Sequence, residues 1–215
     1  MFSRIPATLV VVALTTGCAS PSPAVRSEAK YDETTGRLQT LSLDANRNGR
    51  VETVSYMDGA RITRVEVDQD ENGQVDRWDF YDAARQLEKV GFSRQNDGVM
   101  DAIGFYDSGN VLIRMEISTA RDGRFDRVET YVDGRLAAAG EDTNGDGRPD
   151  KWDEYRAAAA GGQTPEYEVV ATAFDHGGSG RPDRRFVYGP NGTIERVEID
   201  PDGDGVFVPE RAGSK

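Results

Sequence analysis

A glycine returns along this chain at Gly49, Gly73, Gly98, Gly123, Gly147, Gly180 and Gly205. The steps between them are 24, 25, 25, 24, 33 and 25 residues. A period of about 20–50 residues marks a structural repeat, in which each unit buries its apolar surface only against its neighbours. Each glycine is sixth in a stretch opened by Asp44, Asp68, Ser93, Ser118, Asp142, Asp175 or Asp200. Three places after the glycine comes an acid: Glu52, Asp76, Asp101, Asp126, Asp150 and Asp183, with Val208 in the last unit. The one long step is eight residues longer than a 25-residue step and contains RAAAAGGQT at residues 156–164, which holds the insertion. It is alanine-rich, but short and closed by glycines, which disfavours a stable helix.

Between the acidic stretches the pattern is that of strands. An apolar residue follows the ninth-place acid by two: Val54, Trp78, Ile103, Val128, Trp152. A tyrosine closes the segment at Tyr56, Tyr81, Tyr106, Tyr131, Tyr155 and Tyr188. A turn comes next (MDG, YDAA, YDSGN, VDG, GPNG), then a second segment such as ITRVEV, LEKVGF, LIRMEI or IERVEI. Runs rich in β-branched and aromatic residues, bounded by turn formers, read as β-hairpins. The expected fold is therefore all-β: tandem β-hairpin repeats of about 25 residues in an antiparallel meander of about 13 strands, over residues 31–209. Residues 210–215 read as a C-terminal tail. Leu87 and Val90, like Ile62 and Val65, are three apart, which predicts a bulge near the turn. A flat sheet of this size would be exposed, so it should coil as a ribbon or close into a barrel-like form. Periodicity does not choose between the two.

The acidic stretches have the spacing of a cation loop. Calcium takes six to eight oxygens, and carboxylates at alternate places converge only if the chain turns sharply, as a sixth-place glycine permits. The loop 142–150 offers Asp142, Asn144, Asp146, Asp150 and the backbone carbonyl of Arg148. The loop 68–76 offers Asp68, Asp70, Asn72 and Asp76, and the last loop Asp200, Asp202 and Asp204. The first loop offers Asp44, Asn46, Asn48 and Glu52. The remaining three keep only Asp97 and Asp101, Asp122 and Asp126, and Asp175 and Asp183, where the acids can serve simply as caps of backbone N–H groups. In their first six places these loops resemble the EF-hand calcium loop, and their recurring ninth-place acid is similar to the DxDxDGxxD loops of integrin-type propellers and thrombospondin type 3 repeats. The resemblance implies bound Ca2+. YDETTGRL and YDSGNV also resemble the YD repeats of bacterial Rhs-type shell proteins.

The N-terminus reads as an address. Residues 1–17, with Arg4 before an apolar run, form an expected signal peptide too short to span a bilayer comfortably. Leu14-Thr15-Thr16-Gly17-Cys18 resembles the lipobox of bacterial lipoproteins. That resemblance implies cleavage before Cys18, lipidation of Cys18 and membrane attachment, with Ala19 next in line pointing to the outer membrane. Residues 18–30, rich in Ser, Pro and Ala, read as a flexible tether.

Composition removes several function classes. Cys18 is the one cysteine, so no internal disulfide forms, and the one histidine, His176, excludes histidine-rich zinc sites. A net charge of −12 opposes nucleic acid as a partner. The expected function is a calcium-binding, lipid-anchored scaffold or binding module, not an enzyme; a protein or glycan partner is not named by the sequence. The alternative is a carbohydrate-active enzyme using paired carboxylates, with Asp79 and Asp153 beside Trp78 and Trp152 as its acids.

Overall fold

The computed structural model of the chain describes residues 26–157 and 167–210. The signal segment, Cys18, most of the tether, residues 158–166 of the insertion and the tail beyond residue 210 lie outside the described residues. Fifteen strands run in chain order, with no helix among the described residues. They are β1 (Arg26–Tyr31), β2 (Leu38–Asp44), β3 (Thr53–Asp58), β4 (Arg61–Val67), β5 (Arg77–Tyr81), β6 (Leu87–Phe92), β7 (Ala102–Tyr106) and β8 (Leu112–Ile117). They continue as β9 (Arg127–Val132), β10 (Arg135–Glu141), β11 (Lys151–Ala157), β12 (Tyr167–Phe174), β13 (Arg184–Tyr188), β14 (Ile194–Ile199) and β15 (Val208–Pro209).

All fifteen belong to one antiparallel sheet whose spatial order is the sequence order. β1 and β15 are its two edges and do not pair, so the meander stays open rather than closing as a barrel. The expected thirteen strands are β2–β14, and the structure adds one at each edge. β1 starts inside the segment expected as a tether. RSEAKY has no apolar run, only a small/charged alternation, and all six residues are exposed. Backbone pairing with β2 alone recruits it.

The predicted bulge is present in every tight hairpin. Register slips by one residue at Gln39, Thr63, Glu88, Ile113, Ala137, Val170 and Glu195, at the second to fourth residue of the returning strand. An extra residue flips the alternation locally, so Leu87 and Val90 share a face despite their odd spacing. The register then puts Tyr81, Tyr106, Tyr131, Tyr155 and Tyr188 on one face, opposite Leu87, Leu112, Leu136, Val169 and Ile194. Tyr56 breaks the expected series. It follows its glycine by seven residues instead of eight, so it lies on the other face, paired with Arg64, and Met57 opposite Ile62 takes the tyrosine place.

Among the described residues no second layer covers either face, and the buried apolar side chains are few: Val90, Ala102, Ala139, Ala171 and Ala173. Cross-strand and same-strand pairs do the work a core does elsewhere. Trp152 lies between Gly140 and Ala173, and a Cβ on Gly140 would sit 3.5 Å from the indole. Trp78 likewise lies between Glu66 and Gly91. Three direct pairs stack a cation on a ring: Arg64 on Tyr56 at 4.1 Å, Lys89 on Phe80 at 5.1 Å and Arg114 on Phe105 at 5.5 Å. Ion pairs two residues apart recur on both faces, as in Arg77–Asp79 at 2.6 Å and Arg114–Glu116 at 2.6 Å.

The sixth-place glycines have φ between 79° and 91° in all seven loops. An L side chain there is strained even where space is open, as around Gly73. Gly73→Ala should therefore cost about 1–2 kcal/mol. Gly178→Asn should be close to neutral, because the matching fourth place already accommodates Arg47, Glu71, Asn96 and Arg121 at φ of 53–68°. Urea unfolding of the two variants checks the contrast.

Candidate metal centre along the acidic edge

The loop edge of the sheet carries a continuous row of polar residues. The N–H of each loop's first residue donates to the carbonyl of the preceding loop's ninth: Asp68 to Glu52, Ser93 to Asp76, Ser118 to Asp101, Asp142 to Asp126, Asp175 to Asp150 and Asp200 to Asp183. With Asp44 at the start, eleven of these thirteen residues are acids. Several are buried, Asp101 completely, with Asp44, Asp76 and Asp200 below a tenth exposed.

Backbone N–H groups hold these carboxylates in a shared geometry. The first-place carboxylate accepts from the fifth and sixth residues. Asp68 takes Asn72 and Gly73 at 3.1 and 2.9 Å, Asp44 takes Asn48 and Gly49, and Asp175 takes Ser179 and Gly180. The ninth-place acid reaches back to the second and third residues: Glu52 to Ala45 and Asn46, Asp150 to Thr143 and Asn144, Asp183 to His176 and Gly177. His176 Nδ1 also meets Asp183 at 3.0 Å, so the lone histidine belongs to a loop cap. The sharp turn that lets first and ninth places converge is the left-handed glycine between them.

The loops differ in what remains for a cation. In 68–76, oxygens of Asp68, Asp70 and Asp76 lie within 4.8 Å of one another, and Asn72 stands beside them, its Nδ2 on Asp70 at 3.2 Å. Asp76 takes the N–H groups of Gln69 and Asp70 on Oδ2 alone. Its Oδ1 is buried and has no hydrogen-bond partner. In the last loop Asp200, Asp202 and Asp204 converge in the same way.

The 142–150 loop, best preserved in sequence, does not gather its three carboxylates so closely. Both oxygens of Asp142 and of Asp150 are taken by N–H or hydroxyl donors, and Asp146 Oδ1 caps the N–H of Arg148 at 2.9 Å. Asn144 caps Asp146. In the first loop Asn46 and Asn48 turn their side-chain amides to Glu71 of the next loop. The acids of the enzyme alternative are held in ion pairs. Asp79 binds Arg77, and Asp153, 6% exposed, binds Lys151 at 3.1 Å and the Thr172 hydroxyl at 2.8 Å.

The fourth place was not legible as functional. In every loop it has positive φ, at Arg47, Glu71, Asn96, Arg121, Gly145, Gly178 and Gly203. Left-handed backbone favours Gly and Asn, which was the available signal. Its reach toward the preceding loop is a long-range contact that no local pattern shows.

Electrostatics keep the edge anionic. A hydrogen bond from Arg121 holds the Asp97 carboxyl down at about 2. The Ala45 N–H lowers Glu52. Burial pushes Asp101 and Asp126 up, but N–H, hydroxyl and guanidinium donors outweigh it and both end below the ordinary value. A carboxyl lowered on folding adds stability above its ordinary value of 3.8 and loses it as pH falls through the folded value. The urea midpoint should accordingly hold from pH 7 to 5 and decline from pH 4 toward 2, and Asp101→Asn should cost about 1–3 kcal/mol at pH 7 through loss of the buried carboxylate that accepts from the Arg94 N–H and pairs with Arg94 and Arg121.

No family model matches this chain, and no curated protein matches it. Among solved structures it is similar to a chain in the crystal structure of accessory secretory protein 1, 2 and 3 in Streptococcus pneumoniae, at 17% identity and a TM-score of 0.37. The match covers 49% of this chain and 19% of that one. The chain thus spans about a fifth of the length of that neighbour, and a likeness this slight carries no argument about function.

Proposed function

We propose that this is a calcium-stabilised β-repeat protein that serves as a scaffold or binding module rather than as an enzyme. The observation that carries the reading is Asp76 Oδ1, buried and unpartnered within the Asp68–Asp70–Asp76 cluster. Leaving a buried carboxylate oxygen unpaired costs roughly 1–3 kcal/mol, more when it is charged. A hard cation with oxygen ligands removes that cost and screens the neighbouring acids. The second cluster, Asp200–Asp202–Asp204, repeats the arrangement at the far end of the sheet. The carboxyls that shift are lowered, which suits fixed anions rather than proton donors. The Leu14–Cys18 sequence supports export and lipid anchoring in the outer membrane, where extracellular calcium reaches the loops. The partner, protein or glycan, would meet the open faces of the sheet.

Calorimetric titration with calcium, followed in parallel by tryptophan fluorescence, tests this. Trp78 and Trp152 stand two residues beyond Asp76 and Asp150 and report on those loops. Calcium at a hundredfold over Kd should stabilise the chain by about 2.7 kcal/mol per occupied site, EDTA should reverse the gain, and Asp76→Asn should remove one site. Melting curves that ignore both calcium and EDTA, with no heat of binding, would sink the reading.

A further inference from the structure

Three successive loops are each faced by the fourth residue of the loop that follows. Glu71 accepts from the Asn46 and Asn48 amides. Asn96 sends Nδ2 to Asp70 at 3.3 Å, and its carbonyl accepts from Asn72 at 2.6 Å. Arg121 goes further into the loop 93–101. Its Nη1 meets Gln95 Oε1, its Nη2 meets Asp97 Oδ1 and its Nε meets Asp101 Oδ2, each at 2.6 Å. Gln95, Asp97 and Asp101 are the third, fifth and ninth places, occupied in the 68–76 loop by Asp70, Asn72 and Asp76.

We propose that Arg121 is the resident cation of the 93–101 loop. Its guanidinium takes the place proposed for a calcium ion in the 68–76 loop, and where a following loop is present its fourth residue selects whether metal is accepted. This rests on the calcium reading above and deepens it. Three observations carry it. One planar group satisfies the three side chains that a metal would draw together, and the two cannot share the space. Charge closes locally: Asp97 and Asp101 face Arg121 and Arg94, the latter 3.2 Å from Asp101. The first place is Ser93 rather than Asp, which fits an occupant with one charge instead of two. By contrast, the fourth-place residues facing the 44–52 and 68–76 loops are Glu71 and Asn96, neither of them cationic.

Calcium stoichiometry of three full-length chains tests the proposal. The unmodified protein sets the baseline. S93D/Q95D restores the acid pattern but keeps Arg121, and should bind no additional ion. S93D/Q95D/R121G should bind one more per chain. An extra ion in S93D/Q95D, or none in the triple variant while the unmodified chain binds calcium, overturns the proposal. No uptake by the unmodified chain marks failure of the calcium reading instead. In that case Arg121→Gln decides on the clasp alone: a melting temperature lowered by several degrees in EDTA upholds it, and an unchanged one overturns it.

Discussion

Carboxylates stand side by side along one edge of this sheet, at strand spacing of about 4.8 Å, and this arrangement must be compensated before the fold can exist. Like charges at such a distance repel by about 1 kcal/mol even in bulk water, and by more beside a protein surface. The loops answer with directed positive charge. Two or three N–H groups point at each first-place acid, others at the ninth-place acid, and a left-handed glycine makes both possible. Where N–H groups leave an oxygen over, as at Asp76, the proposed calcium would have work to do. Where a guanidinium arrives, as at Asp101, it would not.

The rest of the described structure follows from having this edge and, among the described residues, no second layer. A single sheet buries little, so its stability is spread over neighbour-to-neighbour pairs and depends on each seam. Trp152 over Gly140, Arg64 on Tyr56 and the arginine–acid pairs two residues apart serve the strands. The bulge in each returning strand keeps apolar residues on their face next to the turn. The loop edge serves the ends of the same strands: the first-to-ninth hydrogen bond closes each hairpin at its open end, and the ninth-place N–H of Asp76 or Asp101 bonds back to the last residue of the preceding strand and ties one hairpin to the next. The proposed calcium, bound in the loop between two hairpins, would stabilise both.

The repeat made most of this legible. One glycine every 24 or 25 residues fixed hairpin length, strand count in the interior and the position of the acids, and the three-residue spacing of Leu87 and Val90 announced the bulges. What escaped was what the repeat does not encode. β1 has no apolar signature and β15 is two residues long, so both exist through pairing alone. Tyr56 looked equivalent to the other tyrosines until register separated it by one place. The 142–150 loop has the fullest set of ligand types, yet its carboxylates point to N–H donors, an orientation that residue identity does not specify. Arg121 acts on a loop 20 or more residues away, beyond the reach of local pattern.

The central claim is that cations complete some seams of the acidic edge while an arginine completes another. Residue-resolved amide hydrogen exchange, in calcium and then in chelator, tests it most directly. The account predicts that the N–H groups of Asn72, Gly73, Gly203 and Gly205 exchange at least tenfold faster without calcium. The N–H of Arg94, capped by Asp101, should be unchanged. Equal rates in the two media at all five positions, or a loss of protection at Arg94 matching that at Gly73, would contradict it.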